Sequence, residues 1–310
     1  MRSHSIFALL ALAAAVPAGG PAPGTAPLVL NLPLSTRAAA LGNAWVTGRD
    51  DDVLFYNPAQ LVGSRGGFNT TVARYGPSAT LGALTASFTG GPLTLGWGVQ
   101  AVTYSIAANT PYPFTPEVLM HSGSVDALAL VAAVGGAMTF KGFKIGVAGK
   151  YAEDRLSSQV GIAGAAGYRE HRTFLGDVGV SHPLVGGVAG LAVQNIGRGW
   201  TDGSQKVDVP LQGSLGWSVT RQAGQLDLGF ATQLTARKGW LSPGGGVELG
   251  YGWIEGYSAA VRAGVRRPES NSERPFGFGG TFNADRLTLD YAMQFLDGMR
   301  AAHRLTVRWR

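Results

Sequence analysis

The chain has 310 residues, a formal net charge of +6, no cysteine and only 14% charged residues, well below the roughly 25% of an ordinary soluble domain. The missing cysteine excludes disulfides, thiolate metal sites and a lipid anchor on an N-terminal cysteine. Glycine is abundant at 47 residues, which disfavours helices, where each interior glycine costs about 1 kcal/mol, and suits strands with one apolar and one small polar face.

In chain order, residues 1–18 read as a signal peptide. Arg2 and His4 form a short basic start, Ile6 to Val16 is apolar, and Val16-Pro17-Ala18 offers a cleavage site. That run is too short to cross a bilayer as a helix, which takes about 20 residues, and no later stretch is longer. Residues 19–34 read as a flexible spacer, low in complexity from Gly19 to Pro27. Residues 35–65 carry two compact helical signals. Ser35 or Thr36 can cap a turn running through Arg37-Ala38-Ala39-Ala40-Leu41, which Gly42 and Asn43 would end. Asn57-Pro58-Ala59 places an N-cap before a proline at the first helical position. Between them lies Asp50-Asp51-Asp52.

From residue 66 the hydrophobic period becomes two. Leu287, Leu289, Tyr291, Met293 and Phe295 alternate with Thr288, Asp290, Ala292 and Gln294, and Leu305, Val307 and Trp309 alternate with Arg304, Thr306 and Arg308. A soluble sandwich alternates too, so alternation alone leaves both architectures open. The connections separate them. Short turns are expected at Gly90-Gly91, Lys141-Gly142, around Pro183 to Gly187, at Gln222 to Gly224, Glu255-Gly256 and Asn283 to Asp285. Longer stretches fall between them, as in a barrel with short periplasmic turns and long outer loops. The reading is all-β: residues 66–310 form a transmembrane antiparallel β-barrel of about 14 strands in outer-membrane lipid.

If the apolar phases face lipid, the others face the lumen. Lys144, Lys150, Arg262, Arg266, Arg304 and Arg308 are its cations; Asp177, Asp227, Glu248 and Asp290 are its anions. Such charges can pair with each other and with a plug. Alternatively, the basic excess orients an anionic head group, for which the planar guanidinium is suited. Enzyme chemistry is not indicated. The five histidines are scattered, Gly149-Lys150 is followed by Tyr151 instead of a Ser or Thr, and no G-x-S-x-G occurs. No catalytic residue, metal, cofactor or nucleic-acid partner is expected.

Ser35-Thr36-Arg37-Ala38, Leu41-Gly42-Asn43-Ala44, Asp51-Asp52 and Tyr56-Asn57-Pro58-Ala59-Gln60-Leu61 together resemble the N-terminal signature of the PorV/PorQ family, outer-membrane barrels related to the FadL long-chain fatty-acid transporters. Val193-Gln194-Asn195-Ile196-Gly197, Val261-Arg262-Ala263-Gly264-Val265-Arg266 and Leu289-Asp290-Tyr291-Ala292 extend the resemblance to most of the mature chain. Asn43 and Gln60 depart from the glycines usual in the family, and Trp309 stands one residue before the end. The resemblance implies 14 strands and a plug or hatch made by residues 35–65. Asn57, Pro58 and Ala59 would belong to that plug, with Arg37, Asp51 and Asp52 fixing it inside. It implies passage of small hydrophobic or anionic amphipathic molecules. The alternative it leaves open is a part in a type IX-like secretion apparatus, with loops 105–125 and 153–171 contacting secretion proteins.

Overall fold

The computed structural model describes residues 27–64, 66–75, 79–108, 123–158, 167–202, 205–268, 273–296 and 301–310. The expected signal peptide, the spacer up to residue 26 and most of the long outer loops lie outside the described residues.

Strands β1 (Gly67–Tyr75), β2 (Ala79–Gly90), β3 (Leu93–Ala108), β4 (Gly123–Phe140), β5 (Phe143–Ser158), β6 (Gly167–Leu184) and β7 (Gly187–Gly197) follow one another as an antiparallel meander. After a small separate hairpin of β8 (Trp200–Asp202) and β9 (Gln205–Val207), β10 (Gln212–Ala223) pairs with β7. The meander then continues through β11 (Leu226–Arg237), β12 (Trp240–Ile254), β13 (Tyr257–Arg266), β14 (Glu273–Ala284), β15 (Leu287–Leu296) and β16 (Ala301–Trp309). Strand β16 pairs with β1, Phe68 opposite Trp309 and Tyr75 opposite Ala302. The barrel is therefore closed with fourteen strands, and closure leaves no unpaired edge.

The alternation has the sense that a lipid-facing barrel requires. Val72, Leu84, Trp97, Val147, Phe174, Leu228, Val261 and Leu305 are exposed on the outer face. Thr71, Thr85, Gln100, Asp177, Gln233, Arg262, Asp290 and Thr306 are buried on the inner one. A water-soluble protein shows the reverse.

Two-residue turns at 91–92, 141–142, 185–186, 224–225, 255–256 and 285–286 all close the same end. Lys141 and Gly142 both have left-handed backbone, φ +48° and +83°, as a tight hairpin turn matched to strand twist demands. The other end carries the longer connections, with one departure. The 238–239 link is as short as any at the opposite end, because Gly239 takes φ +69° and allows a tight turn there too. Strands β4 and β6 reach 18 residues, against the 9–11 that span a bilayer. They rise past the apolar band, as does β5 between them, and the outward phase of β5 and β6 becomes charged there: Glu153 and Arg155 of β5 and Glu170 and Arg172 of β6 form an ion-paired group.

Residues 27–64 lie inside the barrel. They make a 3-10 turn at Leu28–Leu30, helix α1 (Thr36–Ala40) and 3-10 turns at Asp51–Phe55 and Pro58–Gly63. Residues 27–34, the end of the composition-defined spacer, sit in the lumen with Val29 and Leu34 buried.

Candidate functional site

The luminal segment is shaped by local capping. The Ser35 hydroxyl accepts from the amide of Ala38 at 3.2 Å, starting α1, and Gly42 and Asn43, both left-handed at φ +63° and +61°, end it. The Asn57 side-chain oxygen accepts from the Ala59 amide at 3.1 Å, and Pro58 follows at the first helical position. Its side-chain nitrogen donates to the Val46 carbonyl at 2.8 Å, tying the second half of the segment to the first. Trp45 and Val46 donate their amides to the Gln233 side chain of β11 at 2.9 and 2.7 Å.

Much of the glycine content makes room for this segment. A Cβ on Gly146 of β5 would lie 2.7 Å from Ala59 Cα, and one on Gly179 of β6 would lie 2.9 Å from the Asn57 carboxamide carbon. On the opposite wall, Gly244, Gly264 and Gly277 face the backbone of residues 39–42 just as closely. Side chains at these positions would push the segment off the wall.

The two sides of the lumen hold the segment by different forces. Toward β2–β4, Leu34, Val53, Leu54 and Leu61 pack against Leu81, Ala83, Val102, Ala129, Val131 and Ala133 in one apolar cluster. Toward β12–β16, beside a small apolar cluster of Ala39, Ala40 and Ala292, the side-chain contact is ionic. Asp50 pairs with Arg37 at 3.1 Å, with Arg308, and with Arg310 at 3.6 Å. Asp290 of β15 pairs with Arg37 at 3.4 Å, Arg262 at 3.6 Å and Arg308. Glu248 of β12 closes the network on Arg262. Arg37 is thus shared between a carboxylate of its own segment and one of the wall.

Burial alone would raise the Asp50 carboxyl, but Arg308 and Arg37 outweigh it and hold that group well below the usual carboxylate range. Arg37 is kept above its ordinary value against burial by Asp50 and Glu248. Among the described residues Asp52 forms no such ion pair, and the charge of Arg308 acts on it less than burial and Asp50 do. Burial, then the charge of Asp50, push its carboxyl up to about 6, although the Trp45 indole donates to it at 2.8 Å.

The structure brings Arg37, Glu248, Arg262, Asp290 and Arg308 into one cluster and scatters the other residues the sequence singles out. Lys150 pairs with Asp177 at 2.6 Å and donates to Asn195 at 3.0 Å in a separate sector. Arg304 donates to the Pro33 carbonyl and the Tyr75 hydroxyl. Arg266 pairs with Glu273 at 2.8 Å. Lys144 sits near Gly63 at the short-turn end, and Asp227 is exposed beside a turn. Asp51 accepts from Ser64 at 2.6 Å and from Ser87 of β2. Pro58 and Ala59 are buried against β5. Sequence reasoning missed Asp50 as the ionic centre and Gln233 as an anchor. The aspartate run held the first signal, and the inward phase of β11 held the second.

Cavities flank the segment. One, a narrow recess of about 470 Å³ when its opening to solvent is counted, faces the long-loop end, lined by Val29, Leu30, Leu34, Phe55 and Val131 on one side and by Gln100, Lys150, Gln194, Gln212 and Arg237 on the other. A cleft of about 1080 Å³ opens at the short-turn end, beneath Arg37, Asp50 and Arg308. The segment separates them and occupies the lumen as a plug would. Among the described residues no three metal-ligating side chains cluster.

No family model matches the sequence, and no curated protein sequence matches it. Among solved structures the chain is similar to that of the toluene transporter TodX of Pseudomonas putida. The TM-score is 0.59 at 11% identity, covering 87% of this chain and 95% of that one. A TodX deltaS2S3 mutant described as a monoaromatic hydrocarbon channel matches with a TM-score of 0.59 at 11% identity, over 88% of this chain and 97% of that one. At that identity the likeness is one of fold: the same barrel architecture over nearly the whole of both chains.

Proposed function

We propose that this chain is a channel of the outer membrane, exported on residues 1–18 as a cleavable signal peptide, through which small hydrophobic or amphipathic molecules pass. The observation that carries the reading is the luminal segment. It fills a lipid-facing barrel and leaves, toward the long-loop end, a pocket with an apolar floor and a polar wall. Widened by a shift of the segment, such a pocket would take an apolar body and orient it through a few polar groups. The fold shared with a toluene transporter supports the same substrate class. The finer assignment to the PorV/PorQ, FadL-like type rests on the order of the motifs from Ser35 to Asp290. With the lumen occupied by residues 27–64, passage requires that segment to shift within the barrel. The secretion alternative would act through loops of which residues 109–122 and 159–166 lie outside the described residues, and no feature of the lumen favours it.

Uptake of a monoaromatic hydrocarbon such as toluene by cells carrying the protein is the direct test, compared with cells carrying Val131→Trp, which fills the pocket. Uptake is expected to rise with the protein and to fall back with the variant. Equal uptake with and without the protein, or recovery of the protein in the soluble periplasmic fraction, would overturn the reading.

A further inference from the structure

We infer that the cleft at the short-turn end is a binding site for a carboxylate or phosphate anion, and that its occupant competes with Asp50 for the arginines that hold the plug. The cleft is lined by Arg37, Arg49, Arg308 and Arg310, with Asp50 and Asp285 as its acids and Ser258, Asn283 and Thr288 as hydrogen-bonding neighbours. Asp50 is already shared among three of these guanidinium groups. Arg308 keeps its Nε without a hydrogen-bond partner although the residue is 3% exposed. Arg49 is exposed and, among the described residues, carries no ion pair or side-chain hydrogen bond. Lys144 lies at the cleft edge, its Nζ 3.2 Å from where a Cβ on Gly63 would sit. Its electrostatic neighbour is Arg49, not a carboxylate.

Elsewhere in this lumen the cations have partners: Lys150 pairs with Asp177, Arg262 with Glu248 and Asp290, Arg266 with Glu273, and Arg304 donates to the Pro33 carbonyl and the Tyr75 hydroxyl. Arg49 and Lys144 break that rule at one place, beside an open cleft. Two like charges held together without a counterion attract an anion, and guanidinium groups bind carboxylate and phosphate with paired hydrogen bonds. An anion seated between Arg49 and Arg310 would draw Arg310 from Asp50 and weaken the ionic hold on the plug.

The anion has two sources. One is the head group of an amphiphile that has crossed the lumen, which rests on the transport reading; the other is a free anion from solution. Calorimetric titration of the detergent-purified full chain with inorganic phosphate and with octanoate separates them. Octanoate binding tighter than phosphate assigns the site to an amphiphile, and equal affinities assign it to the anion alone. In the double variant Arg49→Gln, Lys144→Gln, whose changes are at the cleft edge, both affinities should fall about tenfold, the scale of one charge-assisted hydrogen bond. Unchanged affinity in the double variant, or no binding of either anion by the parent, overturns the inference. Toluene uptake measured in parallel keeps this outcome distinct from failure of the transport reading, since toluene carries no charge for the cleft to hold.

Discussion

The two halves of the lumen wall hold the same luminal segment in opposite ways. On β2–β4 the segment rests on alanines, leucines and valines. On β12–β16 its Arg37 pairs with Asp290 and its Asp50 with Arg308, in a network that Arg262 and Glu248 complete within the wall. An apolar contact has no partner to exchange, and its strength follows the area buried. An ionic contact depends on each partner's charge and can be replaced by another ion. If the segment shifts as the proposed channel function requires, the apolar half is the side on which it would stay seated and the ionic half the side from which it would be released.

The largest break in that comparison should come from Asp290→Asn. It leaves Arg37, Arg262 and Arg308 facing one another with too few carboxylates, and removing one partner of a buried ion pair costs about 3–5 kcal/mol. Planar-bilayer conductance should rise sharply as the plug loosens, while heat-modifiable gel mobility still reports a closed barrel. Conductance equal to that of the parent would mean the ionic half does not hold the plug.

The matching cut on the other side is Leu54→Ala. Leu54 is fully buried between the plug and the wall, and a buried leucine truncated to alanine costs about 2–5 kcal/mol. The loss should be the same at low and high salt, because no charge is involved. A salt-dependent cost, read from denaturation midpoints, would contradict the division of the wall into an apolar and an ionic half.

How far these halves could be read in advance depends on the range of the interactions. The Ser35 cap and the Asn57-Pro58 turn are local, made within three residues of sequence, so the residue types announce them. The inward phase of each strand follows from a period of two, which placed Arg262, Asp290 and Arg308 on the lumen face. The pairings are another matter. Asp50 and Arg308 meet only because β16 closes on β1, and no local pattern carries that register. Asp50, Asp51 and Asp52 are equivalent as letters yet point three ways: to the arginines, to Ser64 and Ser87, and to Trp45. The glycines read as a small polar face. Several are instead seats for plug backbone, as at Gly146 and Gly179, which depends on a contact that only the assembled barrel creates.

The ionic half can also be sharpened by pH. Asp52 is pushed up to about 6 when seated, above the ordinary carboxylate value near 4 that it would regain in water. Between these values the seated state binds more protons than the released one, so seating is favoured at low pH. It weakens as pH rises from about 4 to about 6, by at most about 1.4 kcal/mol per pH unit. Asp50 is shifted the other way; its contribution is present above the ordinary carboxylate range and is lost only in stronger acid. Over pH 4–7 the conductance should therefore rise with Asp52 as the titrating group. Asp52→Asn should flatten the profile and leave the plug closed at pH 7, and a flat profile in the parent would remove Asp52 from this role.

The smallest effect belongs to an ion pair that lacks what the lumen supplies. Lys238 pairs with Asp208 at 3.3 Å, but its side chain is 89% exposed, and exposed pairs gain little against water and salt. Lys238→Ala should change neither conductance nor thermal stability measurably. If it opens the channel as Asp290→Asn is expected to, charge pairing as such holds the plug, and burial between the segment and the wall is not what makes the difference.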